Sequence, residues 1–131
     1  MICGQITNNN QINKRVMKQI KAIIRRTRFE DVKEALFAAD INWFSYSEVK
    51  AIGQARQDRS YRGVIYSTDI IERTEITIIC RDQFVEPAIE AIMKTARTGE
   101  IGDGRIFVSP VEDTYSIRTG EHGDTVLADR K

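Results

Sequence analysis

A two-layer α+β sandwich with the order βαββαβ is the fold class this sequence predicts, and three observations carry the prediction. Two stretches alternate apolar and polar residues, and each runs directly into a stripe of helical spacing. A long polar segment, residues 53–71, separates the two halves. At 131 residues and 15.0 kDa the chain is one domain, too short for two independent cores. Hydrophobic residues at 41% and charged residues at 30% exclude a disordered or fibrous chain.

Residues 1–17, with Asn8, Asn9 and Asn10 in a row, show neither period and predict a mobile polar arm ahead of a domain at residues 18–131. Ile20, Ala22 and Ile24 alternate with Gln19, Lys21 and Arg25, the pattern of a strand with one buried face. Phe29, Val32, Leu36 and Ala39 follow at helical spacing, with Glu30 and Asp31 where a helix dipole favours negative charge. Residues 42–52 hold Trp43, Phe44, Tyr46, Val49 and Ile52, aromatic and β-branched groups that suit a second strand. Residues 53–71 carry no long apolar period and predict a loop, whose length is the first sign of a function.

In the second half, Ile76, Ile78 and Cys80 alternate with Glu75 and Thr77 as a third strand. Asp82 is placed to cap a helix that carries Val85, Ile89, Ile92 and Ala96 on one stripe, with Pro87 restricting where that helix begins. Gly99 stops it, Ile106, Phe107 and Val108 make a short fourth strand, and Pro110 is expected to end that strand. Two βαβ units with split pairing make a ferredoxin-like sandwich, in which both helices cover one sheet face. The bare face predicts an oligomer.

Charge and composition narrow the function. Twenty Lys and Arg against 19 Asp and Glu leave a net charge of +1, without the basic excess that favours nucleic acid. No apolar run reaches the roughly 20 residues of a membrane span, and the polar N-terminal stretch has no signal-peptide core, so a cytoplasmic protein is expected. Cys3 and Cys80 offer neither a disulfide framework nor metal-ligand spacing and read as plain thiols.

Two places could hold chemistry. His122, the one histidine, lies in a glycine-flanked stretch and reads either as an acid-base or phosphate-accepting group or as a solvated tail residue. Thr98-Gly-Glu-Ile-Gly-Asp-Gly-Arg105 combines three glycines with a following cation. Its backbone N–H groups suit an anion, although a tight turn into the fourth strand explains the same glycines, and neither the Walker pattern nor GxGxxG is present. Arg118 is a second fork-shaped cation able to close on the same anion, or one more surface arginine.

These residues belong to a longer pattern. Lys33-Glu-Ala-Leu36, Tyr61-Arg-Gly63, the dense run from Thr95 to Val111 and Ile117-Arg-Thr-Gly-Glu121 together resemble the PII family of nitrogen-signalling proteins. The resemblance implies a non-enzymatic homotrimer that binds ATP and ADP in clefts between subunits, senses 2-oxoglutarate with Mg2+, and controls nitrogen-metabolism partners through its long loop. By motif, Gly102, Asp103, Gly104 and Arg105 match the phosphate-cradling loop, with Arg105 where a lysine is usual. Arg118 matches a phosphate-contacting arginine, and Ser45 stands where a threonine near the adenine is common. Arg73 matches a lysine that meets effector or nucleotide; Gly53 and Gln54 fall at the loop base that serves both. Arg62 matches a loop-tip arginine that enters an ammonium channel, and Tyr66 a tyrosine that is uridylylated in some members.

The chain also departs from the family pattern. It reads Ala51-Ile-Gly-Gln-Ala-Arg-Gln57 where the family has Gly-Phe-Gly-Arg-Gln-Lys-Gly, so Ala55 replaces the glutamine that helps hold Mg2+ and 2-oxoglutarate. Ser116 replaces an arginine, and the loop is about one residue short by comparison with the family. These changes predict a weak or altered 2-oxoglutarate response. A small phosphotransfer enzyme or ATPase using the same glycine loop is the competing expectation.

Overall fold

A computed structural model describes residues 17–58 and 64–128. Strand β1 (Met17–Arg25) leads through a 3-10 turn (Arg26–Arg28) into helix α1 (Phe29–Ala38). Strands β2 (Ser45–Asp58) and β3 (Val64–Arg81) follow, then a second 3-10 turn (Asp82–Phe84), helix α2 (Val85–Ala96) and strand β4 (Arg105–Val111). All pairings are antiparallel and the sheet order is β2-β3-β1-β4. This is the expected ferredoxin-like sandwich.

The alternation of β1 explains the layering. Ile20, Ala22 and Ile24 pair with Ile78, Ile76 and Thr74, and all six are buried against Val32 and Leu36 of α1 and Ala88, Ile92 and Ala96 of α2. Each buried Ile or Leu contributes about 1.5–3 kcal/mol of transfer free energy, so this stripe is the main source of cohesion. The intervening residues of β1, Lys21, Ile23 and Arg25, turn to the other face with Thr77, Glu75 and Arg73 of β3. Ser45, Ser47 and Val49 of β2 and Arg105 and Phe107 of β4 extend the same rows. No helix covers this second face among the described residues.

Three sequence expectations change. Asp82 does not cap α2: it opens the 3-10 turn and lies 3.5 Å from Lys18, and the helix starts at Val85 without a side-chain cap. Pro87 thereby falls in the first helical turn, where its missing N–H is harmless. Pro110 does not end β4; it sits within the strand opposite Lys18, and β4 is an edge strand of the sheet, the place where proline is tolerated.

The third change concerns residues 53–71, which are not a loop over most of their length. β2 and β3 stay paired from Gly53 opposite Asp69 to Asp58 opposite Val64, well past the end of β1. Main-chain pairing carries the ladder outward from the core. Tyr61, Arg62 and Gly63 lie outside the described residues, as does the polar arm up to Val16. Met17, assigned to that arm from sequence, is buried at the start of β1.

Candidate functional site

The glycine segment between α2 and β4 is held by one carboxylate. Asp103 Oδ2 accepts the backbone N–H groups of Thr98 and Gly99, each at 2.8 Å, and its Oδ1 accepts the Thr98 hydroxyl. Arg25 adds Nε at 3.2 Å to Oδ1. The Thr98 hydroxyl first, then the two N–H donors and Arg25, hold the Asp103 carboxyl well below the usual carboxylate range. The closed turn exposes Ile101 at its tip.

Two glycines have steric reasons. Gly104 has φ +102°, and a Cβ there would meet the Ile23 carbonyl oxygen at 1.8 Å, so the turn re-enters β4 by passing directly against β1. Gly102, at φ +104°, lets two guanidinium groups close in: a Cβ would lie 3.2 Å from Arg73 Nη2 and 3.3 Å from Arg25 Nη2. Arg25 and Arg73 are cross-strand neighbours. Arg25 Nη2 donates to the Ile101 carbonyl at 3.0 Å, and Arg73 Nη2 to the Gly102 carbonyl at 3.1 Å. Two like charges thus converge on one turn beside a single paired carboxylate, an arrangement that favours an anion.

Arg105 opens β4 opposite Ile23 and Ser45 opens β2 opposite Thr77; both are exposed and in register with the uncovered face that holds Arg25 and Arg73. The structure therefore gathers Arg73, Gly102, Asp103, Gly104 and Arg105 at one end of that face. Gly53 and Gln54 are not gathered with them. They stand four and five residues beyond Val49, the partner of Arg73, which is about 13 Å or more along the strand. Tyr66, opposite Arg56, is farther out in the hairpin, and Ala55 pairs with Ser67.

Arg118 lies on the exposed turn of a C-terminal hairpin. Ser116 N–H donates to the Glu121 carbonyl at 2.8 Å and Gly120 N–H to the Ser116 carbonyl at 2.7 Å, which closes the turn. His122 is exposed, as the solvated reading expects, but it belongs to the hairpin rather than to a tail: it bridges Tyr115 across the hairpin and faces Asp113. Arg25 is the residue that sequence reading missed. Its signal was the basic run Arg25-Arg26-Thr-Arg28, which gains meaning only once the register sets Arg25 beside Arg73.

At the opposite end of the sheet, a groove of about 430 Å³ is lined by Ile41, Trp43, Ile78, Cys80, Phe84 and Leu127 among others. Its lining is mostly apolar, and burial pushes the Cys80 thiol up to about 11, which makes it a poor nucleophile. Among the described residues no group of three His, Cys, Asp or Glu stands together to hold a metal ion.

Comparison with known proteins decides the family. The family described as Nitrogen regulatory protein P-II matches residues 17–121. The chain belongs to the P-II family. It is 45% identical over 112 residues to a nitrogen regulatory protein P-II of Cereibacter sphaeroides, covering 85% of this chain and 100% of that protein. A nitrogen regulatory protein P-II 1 of Methanothermobacter thermautotrophicus is 46% identical over 110 residues, 83% of this chain and 96% of that one. Among solved structures, the B. subtilis GlnK-ATP complex superposes with a TM-score of 0.75 at 31% identity, covering 86% of this chain and 98% of that chain. B. subtilis GlnK itself gives 0.73 at the same identity. The P-II match begins at the first residue of β1 and ends inside the C-terminal hairpin, so it takes in both the glycine turn and Arg118.

Proposed function

We propose that this P-II chain is a non-enzymatic signalling protein that binds ATP or ADP at the glycine turn and passes its occupancy to nitrogen-metabolism partners through the β2–β3 hairpin. One observation carries the reading: Arg25 and Arg73 converge on a glycine turn that Asp103 keeps closed, with Arg105 next in line on the uncovered face. A polyphosphate is the anion whose charge and length suit such a row of cations. The B. subtilis GlnK-ATP complex, a structural neighbour, supports the same ligand. His122, engaged by Asp113 on the C-terminal hairpin, is not among the groups that hold the glycine turn, which favours binding over phosphotransfer.

The nucleotide contacts are assigned to Ser45, Gly53, Arg73, Gly102, Asp103, Gly104, Arg105 and Arg118, in clefts completed by neighbouring subunits of a homotrimer. A cytoplasmic protein fits this role, and no helix among the described residues is long and apolar enough to cross a membrane. The partner is an ammonium channel or another nitrogen-assimilation protein met through Arg62, with Tyr66 as the candidate for modification. Mg2+ with 2-oxoglutarate fits this chain poorly, because Ala55 supplies no lone pair to an octahedral shell and Ser116 no charge. Of the effector contacts that the resemblance assigns, Arg73 is at the turn while Gly53 and Gln54 stand about 13 Å or more along β2, which also favours a weak 2-oxoglutarate response.

Isothermal titration with ATP and ADP tests this. Arg105→Ala and Arg118→Ala are each expected to weaken ATP by tenfold or more, since a charge-assisted bond contributes roughly 1.5–3 kcal/mol. Unchanged affinity in both variants would overturn the site. With Mg2+ and ATP present, 2-oxoglutarate should bind only in the Ala55→Gln variant at concentrations where the wild type shows no heat.

A further inference from the structure

The C-terminal hairpin carries a cluster that the site described above does not use. His122 Nδ1 lies 3.2 and 3.4 Å from the two carboxylate oxygens of Asp113, on the opposite arm. The imidazole also stacks on Tyr115 of that arm, with ring centroids 4.9 Å apart and planes 21° from parallel. Tyr115 and His122 form a backbone bridge, and Gly123 N–H donates to the Thr114 carbonyl at 2.9 Å just below it. Between this rung and the tip, the turn carrying Arg118 is closed by the backbone bonds at Ser116 and Gly120 and by the Thr119 and Glu121 N–H groups, which donate to the Ser116 and Thr119 hydroxyls at 3.3 and 3.1 Å. Below it, the hairpin is anchored by buried Asp124, with Arg81 at 3.8 Å.

We infer that Asp113, Tyr115 and His122 form a proton-sensitive clamp that sets the Arg118 turn, so that nucleotide affinity rises when His122 takes up a proton. The inference rests on the nucleotide reading above for its second half only. A neutral imidazole with its proton on Nδ1 donates an ordinary hydrogen bond to Asp113; the cation makes it charge-assisted and stacks its charge on the Tyr115 ring. Asp113 and Tyr115 are the groups that face the ring from the opposing arm. Glu121 flanks it on its own arm, and Asp124, on the far side of Gly123, is directed into the body toward Arg81. A tighter rung reduces the freedom of a turn that is otherwise exposed, and Arg118 then loses less on closing over an anion. His122 and Asp113 are positioning residues in this scheme and touch no ligand.

The test uses the full chain and two readouts. The first is the protection of the Ser116, Gly120 and Gly123 amides from hydrogen exchange in the free protein, corrected for intrinsic rates, between pH 8 and pH 5.5. The second is ATP affinity by titration over the same range, taken as the ratio of wild type to Asp113→Asn so that the ionisation of ATP itself cancels. Protection should rise as pH falls in the wild type and stay flat in Asp113→Asn and His122→Ala. The affinity ratio should rise about two- to fivefold, the scale of an exposed ion pair. His122→Asn, which returns a donor near the Nδ1 position, should restore protection at pH 8 without its pH dependence. Protection that ignores pH and residue 122 overturns the clamp, even if the wild type binds no ATP. A working clamp with a flat affinity ratio overturns the coupling, and absence of ATP binding in the wild type at every pH overturns the nucleotide reading instead.

Discussion

Gly104 and Asp103 are adjacent residues with opposite tolerances. At Gly104 a Cβ would lie 1.8 Å from the Ile23 carbonyl oxygen, at a φ of +102°, so Gly104→Ala forces either β4 or the turn away from β1. The expected loss is about 3 kcal/mol or more in urea unfolding, from left-handed strain and a backbone clash together. Gly99 is the control: its φ is +91° but nothing lies within 4 Å of an added Cβ, so Gly99→Ala should cost only about 1–2 kcal/mol of strain. Equal stability of the two variants would mean that the close approach at Gly104 does not exist. Asp103 is different because its role is electrostatic. Its folded-state carboxyl is lowered from the ordinary 3.8 by the Thr98 hydroxyl first and then by N–H donors and Arg25. A carboxyl lowered on folding stabilises in full above the unfolded pKa, and the contribution is lost as pH falls through the lower folded value. Wild type should therefore exceed Asp103→Asn in urea midpoint at pH 7 and keep that lead at pH 5. The gap should narrow below pH 4; a gap that is constant down to pH 2 would show that the charge is not what closes the turn.

At the scale of elements, legibility in the sequence tracked burial. β1, α1, α2 and the inner half of β3 were readable because each puts one face on a common core: Ile20, Ile24, Leu36, Ile76, Ile78 and Ile92 are all nearly fully buried and recur at the period of their element. The hairpin was not readable for the complementary reason. Gln54, Arg56, Gln57, Ser67, Thr68 and Asp69 lie on strands paired beyond the end of β1, and polar residues stand at odd and even positions alike, so no apolar alternation marks these strands in the sequence. Much of the site was legible as glycine and arginine spacing, whereas Arg25 depended on antiparallel register, which no local pattern encodes. The hairpin itself carries a prediction. A two-stranded ladder is marginal on its own, so amides of residues 54–57 and 65–69 should exchange orders of magnitude faster than those of Ile76, Ile78 and Ile20 in the same sheet. Protection in the hairpin equal to that of the core strands, in the free protein, would mean that another surface already covers it.

For the whole molecule, the uncovered sheet face is the feature that needs a partner. Its rows run Ser45, Thr77, Lys21, Phe107 and then Ser47, Glu75, Ile23, Arg105, with Val49, Arg73 and Arg25 at the end that meets the glycine turn. Lys21 and Glu75 lie within 3.9 Å of each other, which lowers the cost of covering their charges. Phe107 is half exposed in the middle of an edge strand, where a lone subunit gains nothing from it. Three copies of this face closed around one axis would bury Phe107 and bring the Ser45 end of one sheet near the turns of its neighbours, the cleft arrangement that the P-II resemblance implies. The expected mass by light scattering at micromolar concentration is therefore three times that of the 15.0 kDa chain. Phe107→Asp would place a charge against its own copies and should shift the mass toward the single chain while leaving the helix-face core, and hence far-ultraviolet circular dichroism, unchanged. ATP affinity should fall with the trimer, because a cleft shared between subunits is lost when they part. A wild type that runs as a monomer would remove the trimer, and a monomeric Phe107→Asp that binds ATP as tightly as the wild type would put the whole nucleotide site within one subunit.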